Sequence, residues 1–327
     1  MSLFPSFERN IKKWDKNIMI TKTAMITIAG RANVGKSTLT NTLTGDKVAI
    51  VTPKPQTTRN RIFGVFPYGD TQMILLDTPG FHKAKTKLGE YMVGVVRDSV
   101  SDVDAVALMV EPIDNIGPQE ELLIELIEKS GVPSILVINK IDTVRVDETL
   151  PVIQRYSQRF AFDAIVPISA RKGDGINQLL ELFDKHAKEG PQLFPDGMTT
   201  DQPEKHIIAE IIREKLLICM DLEVPHGIAV EITKFSERNM RRAVDGGDGD
   251  EVGEAIIDVD ATIYCERKSR KGIVIGKNGA MLKKIGQYAR EDIERFMGAK
   301  VFLQTWVKVK ENWRDSRAIM RNFGYER

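Results

Sequence analysis

Lys36 and Ser37 close the run Gly30-Arg31-Ala32-Asn33-Val34-Gly35-Lys36-Ser37, which lies between an apolar stretch, 25–29, and a helix-like segment, 37–43. Strand, glycine-containing turn and helix in this order form the setting in which a backbone cradles phosphates. Gly30 and Gly35 let the chain curl so that successive N–H groups converge on one point, and the helix start behind them adds positive partial charge. Lys36 can then reach the outer phosphates, and Ser37 can offer its hydroxyl to Mg²⁺. The chemistry this predicts is a phosphate cradle for a nucleotide, able to serve ATP or GTP and many reactions.

Three further clusters follow in the order such a site needs. Asp77-Thr78-Pro79-Gly80 comes after a strand-like run. Asp77 can hold Mg²⁺ through water, and the Gly80 N–H can donate to a γ-phosphate. Asn139-Lys140-Ile141-Asp142 ends the apolar run 134–138. The Asp142 carboxylate can accept from the ring N–H and the exocyclic amino group of guanine, a donor pair that adenine lacks on that edge, so it selects GTP over ATP. Lys140 supplies an aliphatic stem to cover the base, and Asn139 can fix the loops or the base edge. Ser169-Ala170-Arg171, after the last strand of this region, would bring a backbone N–H to the guanine carbonyl. Each short motif is weak alone; four in register on one α/β pattern are not.

A γ-phosphate sensor is expected in 46–60, where Pro53, Pro55, Gln56, Thr57, Thr58 and Arg59 interrupt any regular element. Thr57 or Thr58 would ligate Mg²⁺ only beside GTP, with a slight preference for Thr58. A second switch is expected from 78 to roughly 95, with Gly89 and Gly94 as hinges. After Gly80 many GTPases carry a glutamine that orients the attacking water; here Phe81 stands, and phenylalanine cannot do that. Unaided turnover is therefore expected to be slow, roughly 10⁻⁴ to 10⁻² s⁻¹. Arg59 is a candidate internal arginine finger that position alone does not support.

These residues need a scaffold. Strand candidates are 25–29, 61–66, 73–76, 105–110, 134–138 and 164–168, with amphipathic segments such as 119–129 and 177–188 between them. The first, fourth and fifth are apolar throughout, like strands covered on both faces of a parallel sheet. The expectation is a doubly wound, mostly parallel α/β domain with functional loops at the C-terminal strand ends. The segment 191–203, with three prolines and no periodicity, reads as a linker. Beyond it come a helix (204–220), two strands (228–233 and 255–266), a glycine-rich turn between helical stretches, and a last strand (301–310). The stretch 245–260 holds seven acids and no base. Val252 and Val259 occupy places where a calcium loop needs oxygen ligands, so the stretch reads as a flexible acidic hairpin insertion and not a metal site.

At 327 residues the chain is long enough for two domains of roughly 150 residues. Its 42% hydrophobic and 28% charged residues are those of an ordinary soluble globular protein. Cys219 and Cys265 are the two cysteines and share no ligand spacing, which speaks against a disulfide or zinc scaffold and for a reducing, cytoplasmic compartment. No signal peptide is visible and no run nears the ~18 apolar residues of a membrane span. In the N-terminal extension, 1–22, Phe4, Phe7, Ile11, Trp14 and Ile18 recur at helical spacing among basic residues. That pattern suits packing on the protein, or peripheral contact with the cytoplasmic face of a membrane. The net charge of +1 hides an asymmetry: 261–327 carries 16 Lys and Arg against 7 Asp and Glu, a net of +9. Such an end fits a polyanion partner.

Read in order, GRANVGKST, PQTTRNR, DTPGFH, NKID and SARKGDGI resemble the Era family of GTPases, and the likeness covers nearly the whole chain after residue 24. The resemblance implies a GTPase domain over 23–190 and a smaller α+β domain, a type II KH domain, over 204–327. It implies GTP/GDP and Mg²⁺ as ligands, and binding of small-subunit ribosomal RNA during assembly of the small ribosomal subunit. The nucleotide would be held by residues 30–37, by Asp77, Thr78, Pro79, Gly80 and Phe81, and by Asn139, Lys140, Asp142, Ser169 and Ala170, with Ser37, Thr58 and Asp77 on the metal. The helix–strand–strand–helix–helix–strand order derived above is that of a type II KH domain. Its RNA loop matches Gly276-Lys277-Asn278-Gly279, which opens a helix with Lys283 and Lys284. The glycines let the backbone approach a sugar-phosphate chain, and Lys277 adds charge. The tail residues Trp313, Arg314, Arg317, Arg321 and Tyr325 either extend that RNA surface or pack as a capping helix. By likeness to GTPases with a hydrophobic residue after DTPG, Asn33 would help seat K⁺ beside the phosphates.

Two positions depart from the family pattern. Ala32 stands where proline is usual, which is tolerable because the backbone carries the binding, and Asn278 replaces a commoner glycine or small residue. The leading expectation is a slow, monomeric, cytoplasmic GTPase whose hydrolysis times RNA binding. One rival is an RNA chaperone in which nucleotide only stabilises the fold. Another is a tRNA-modification GTPase, which would need an added cofactor domain and a cysteine near the C-terminus, whereas the last cysteine here is Cys265. An ATP-driven enzyme is opposed by NKID.

Overall fold

The computed structural model describes residues 19–81, 84, 86–220, 227–242 and 251–325. The amphipathic pattern from Phe4 to Ile18, His82 and the acids Asp245, Asp248 and Asp250 lie outside them. The chain divides into two units, the first ending at Gln202 and the second beginning at Pro203.

In the first unit the strands β1 (Lys22–Ala29), β2 (Ile62–Tyr68), β3 (Thr71–Asp77), β4 (Ala105–Val110), β5 (Ser134–Ile138) and β6 (Ala164–Pro167) form one sheet in the order β2-β3-β1-β4-β5-β6. β2 runs antiparallel to β3 and the other neighbours are parallel. A short β7 (Lys188–Glu189) pairs antiparallel with the start of β1. β4 shows why the apolar runs become central strands. Its Ala105, Ala107 and Met109 join a core with α1 (Lys36–Thr44) and α5 (Ile176–Asp184). Its Val106, Leu108 and Val110 join another with α2 (Lys87–Asp98), α3 (Pro118–Ser130) and α4 (Val146–Arg159). Alternation by two thus buries every residue of the strand, one set per face. The C-terminal ends of the parallel strands lie at one edge, where the loops carrying the nucleotide motifs emerge.

Two expectations change. From Lys87 the stretch expected as the second switch is helix. Thr86 caps α2 by accepting from the Gly89 N–H, and Leu88, Met92, Val95 and Val96 turn one apolar face into the core. Gly89 and Gly94 are buried helical residues, not loop hinges. The proline-rich stretch 191–203 packs against the sheet instead of standing free. Val65 N donates to Thr199 O (2.8 Å), and the buried Gln72 side chain donates to Phe194 O and accepts from the Leu193 and Phe194 amides. This strap pairs the outer edge of β2, which would otherwise expose a row of backbone groups.

The second unit consists of α6 (Glu204–Cys219), β8 (Ile228–Arg242), β9 (Glu251–Cys265), α7 (Lys268–Ile275), α8 (Ala280–Met297), β10 (Lys300–Val309) and α9 (Arg317–Asn322). Its sheet order is β10-β9-β8, parallel then antiparallel. Ile208, Ile212 and Leu216 of α6 and Ile285, Ala289 and Ile293 of α8 cover Val259, Ala261 and Ile263 of β9. From Glu251 onward the acidic stretch is strand, paired as Arg242 with Glu251 and Arg238 with Ile256, so this part is not a flexible insertion. Asp258 and Asp260 alternate with the core residues Ile257, Val259 and Ala261, and Arg238 and Lys234 pair with Asp258 at 3.0 and 3.8 Å.

Candidate functional site

Asn139 organises the nucleotide loops. Its Nδ2 donates to Val34 O (2.8 Å) and its Oδ1 accepts from Ala170 N (2.9 Å), so one amide joins the phosphate loop, the base motif and the 169–171 loop. Of its two expected roles, fixing the loops is the one this geometry shows. Gly35 has φ +106, and a Cβ there would fall 2.2 Å from that same Nδ2. No other residue fits both the torsion and the approach.

Lys36 is buried, with Nζ donating to Gly30 O (3.1 Å) and Arg31 O (2.9 Å). Burial pushes its pKa down to about 8, against the pull of Asp77. Burial likewise pushes the Asp77 carboxyl up to about 6, against Lys36 and the Ser37 hydroxyl. A dry cation and a dry carboxylate, each short of compensating charge, suit a site completed by phosphate and a metal ion.

The oxygens for that metal converge. Ser37 Oγ donates to Asp77 Oδ2 (2.6 Å) and lies 2.9 Å from Thr58 Oγ1, while Asp77 Oδ1 is buried without a hydrogen-bond partner. Hydroxyl, hydroxyl and carboxylate are hard donors that fit Mg²⁺. Thr57 also lines the cleft, but its hydroxyl donates to Lys54 O (2.6 Å) and lies 2.7 Å from Thr52 Oγ1. Thr58 is thus the threonine brought to Ser37.

These groups border a cleft of about 620 Å³ whose walls include Ala32, Asn33, Gly35, Thr58 and Gly80, with Lys140 and Arg171 also lining it. Asp142 Oδ1 accepts from the Ser169 hydroxyl (2.8 Å), leaving Oδ2 for a base. The Ala170 amide is already bonded to Asn139, so it reaches a guanine carbonyl only as a shared donor. Asn33 has φ +67, and its Nδ2 donates to Pro53 O (2.7 Å), tying the phosphate loop to the first switch.

Several predicted residues support the site without facing it. The Phe81 ring packs in the core with Val96 and Leu108, and its amide donates to Gly30 O (3.1 Å). Thr78 is buried with its hydroxyl on Ile28 O (2.8 Å), and Pro79 and Val34 are buried as well. Arg59 is buried and is not a cleft residue. Glu111, which no motif marks, bonds both Arg31 and Lys140.

In the second unit Gly276 (φ +72) and Gly279 (φ +78) bracket a tight turn between α7 and α8, and Asn278 adopts φ +51, a conformation asparagine tolerates better than most side chains. A Cβ on Gly276 would fall 2.6 Å from Met281 Cβ. A groove of about 510 Å³ runs from Gly279 along α8 to β10, lined by Lys283, Gln287, Arg290, Leu303 and Thr305 among others. Lys277 is exposed on the turn, whereas Lys284 lies outside the groove with its ammonium over the Tyr288 ring. Arg290 was missed, although its spacing of seven from Lys283 puts both on one helix face. The tail packs: Trp313 is fully buried with Nε1 on Gly227 O (3.0 Å), Phe323 meets it edge-on, Tyr325 stacks on it, and Arg314 pairs with Glu266. Its aromatics are therefore core and not an RNA platform; Arg317 and Arg321 stay exposed.

Residues 25–140 match the family of 50S ribosome-binding GTPases, and residues 223–314 match the KH domain. Fold, motifs and matches define a P-loop GTPase followed by a KH domain. The chain belongs to the Era family of GTPases. It is 48% identical over 308 residues to GTPase Era of Ruminiclostridium cellulolyticum, covering 94% of this chain and 99% of that protein, and 47% identical over 305 residues to GTPase Era of Clostridioides difficile, covering 93% and 98%. Its fold superimposes on Era in complex with MgGDPNP and nucleotides 1506–1542 of 16S ribosomal RNA with a TM-score of 0.86, at 37% identity and covering 94% of this chain and 100% of that one. A point variant of Aquifex aeolicus Era bound to GDP·AlF4⁻ gives 0.85 at the same identity and coverage.

Proposed function

We propose that this GTPase binds GTP with Mg²⁺, hydrolyses it slowly, and uses the nucleotide state to time binding of small-subunit ribosomal RNA by its KH groove during assembly of the small ribosomal subunit in the cytoplasm. The observation that carries the nucleotide half is the meeting of Ser37, Thr58 and Asp77 beside buried Lys36. Ser37, Thr58 and Asp77 would hold Mg²⁺, which when bound neutralises charge on the phosphates. Lys36 exchanges two loop carbonyls for phosphate oxygens, and the amides of the loop orient the phosphate chain. Phe81 stands where the glutamine is usual and its ring is core, so the attacking water is left to backbone groups such as the Gly80 amide.

The RNA half is supported by the groove, its Lys283 and Arg290, and the RNA held by the Era relative. RNA of nucleotides 1506–1542 of 16S ribosomal RNA is expected to bind the chain more tightly with a non-hydrolysable GTP analogue than with GDP. Equal affinities would remove the timer, and a Lys36→Ala protein that keeps its RNA function would establish the chaperone reading instead.

We also propose a K⁺ seat at Asn33. It is supported by the place of Asn33 in the cleft wall and by its bond to Pro53, which puts its amide between phosphate loop and switch. Hydrolysis at equal rates in sodium and potassium buffers removes it. Membrane contact is a separate proposal for the extension 1–22; lipid vesicles that pellet the full chain and a chain starting at Ile20 equally well would end it.

A further inference from the structure

Glu111 is the first residue past the C-terminal end of β4, at the sheet edge where the nucleotide loops gather. Its two carboxylate oxygens are divided between two cations. Oε1 accepts from Lys140 Nζ in the base motif, and Oε2 accepts from Arg31 Nη2 in the phosphate loop. Arg31 also reaches Glu120, whose Oε1 lies 3.0 Å from its Nε. The Glu111 side chain is only 21% exposed, so its attraction to the two cations is screened less than that of a surface pair.

Each partner has a second tie into the site. Lys140 adopts φ +70, which sets the root of its side chain, and the residue lines the cleft. With its ammonium held by Glu111, the aliphatic stem keeps one course instead of sampling many rotamers. The Arg31 carbonyl accepts from Lys36 Nζ (2.9 Å), and its backbone pairs with Phe81 after DTPG. Asn139 joins the base and phosphate loops through their backbones. Glu111 joins them through their side chains.

We propose that Glu111 is a positioning residue for guanine-nucleotide binding: one carboxylate holds Lys140 and Arg31 together, presets the Lys140 stem for the base, and slows nucleotide release. The inference rests on this cleft being the GDP/GTP site. Glu111 contacts neither base nor phosphate; it acts through Lys140, and a preset side chain spares the ordering cost on binding.

The test follows release of GDP carrying a methylanthraniloyl fluorophore from the full-length chain in Mg²⁺ buffer. Glu111→Gln keeps the shape and removes the charge, and Arg31 retains Glu120, so the fold is expected to survive with a thermal midpoint within about 2 °C of the parent. Release is expected to quicken about 10-fold. Lys140→Met keeps an apolar stem without the ammonium and is expected to reach the same raised rate. The double variant is expected to match either single one within about twofold, because both remove one interaction. Parental release rates in Glu111→Gln, or effects that multiply in the double variant, overturn the proposal. Should Glu111→Gln not fold, Glu111→Asp keeps the charge on an arm too short for both cations; an intermediate rate supports the proposal and an unchanged rate overturns it. A parent chain that fails to retain labelled GDP would instead sink the nucleotide site itself, a result distinct from tight parental binding with unaltered variants.

Discussion

Thr57 and Thr58 are adjacent and chemically identical, yet only Thr58 meets Ser37, because Thr57 is bonded inside its own loop. Thr58→Ala is expected to lower GTP turnover at least about 10-fold, with little change for Thr57→Ala, as read by phosphate release. Asp142 accepts from Ser169 with one oxygen and keeps the other for the base. Asp142→Asn puts an amide donor where guanine also donates; GTP affinity should fall about 100-fold and xanthosine triphosphate should become the preferred ligand. Competition between the two nucleotides reads this directly, and unchanged GTP preference would remove Asp142 from base recognition. The two thiols also differ. Cys265 is fully buried, which pushes its pKa up to about 11, while Cys219 is half-buried. A thiol reagent should modify Cys219 alone in the native protein and both residues in denaturant.

At the scale of elements, the strap from Leu193 to Asp201 decides how the first unit ends. Gln72 makes three hydrogen bonds to it, and Phe63 packs on Phe194 with ring centroids 6.0 Å apart. Gln72→Ala removes the acceptor of the Leu193 and Phe194 amides, while Phe194 O keeps Gln192 Nε2 (2.7 Å), and should cost about 1–3 kcal/mol. Release of the strap should appear as faster chymotrypsin cleavage after Leu193 and Met198, and unchanged cleavage would show that β2 alone holds it. The strap also explains a misreading: proline content marks a chain that cannot be helix, and says nothing about whether a sheet edge captures it. The second switch shows the converse, since its glycines looked like hinges until Thr86 and the apolar face of α2 placed them inside a helix.

At the scale of the molecule, each unit has a core of its own, and only the first contains the nucleotide cleft. GDP with Mg²⁺ at about 100 times its Kd should therefore stabilise the first unit by about 2.7 kcal/mol and leave the second where it was. Hydrogen exchange resolves the two, with slowing expected in β1, α1 and β5 but not in α8 or β9. Slowing of equal size in both units would mean that they unfold together.

Much of this was legible in the chain itself. The parallel sheet showed because β4 and β5 are apolar at nearly every position, a pattern that burial on both faces alone requires. The phosphate and base loops showed because their chemistry constrains residue types at fixed local spacing. The tertiary structure decided what local spacing cannot carry. It buried the side chains of Phe81, Thr78 and Pro79, brought Thr58 and not Thr57 to Ser37, turned the aromatic tail into core, and brought Glu111 to Arg31 and Lys140, 80 and 29 residues away. Such contacts join residues far apart in the chain, and only closure of the sheet puts β1, β4 and β5 side by side so that their loops can meet.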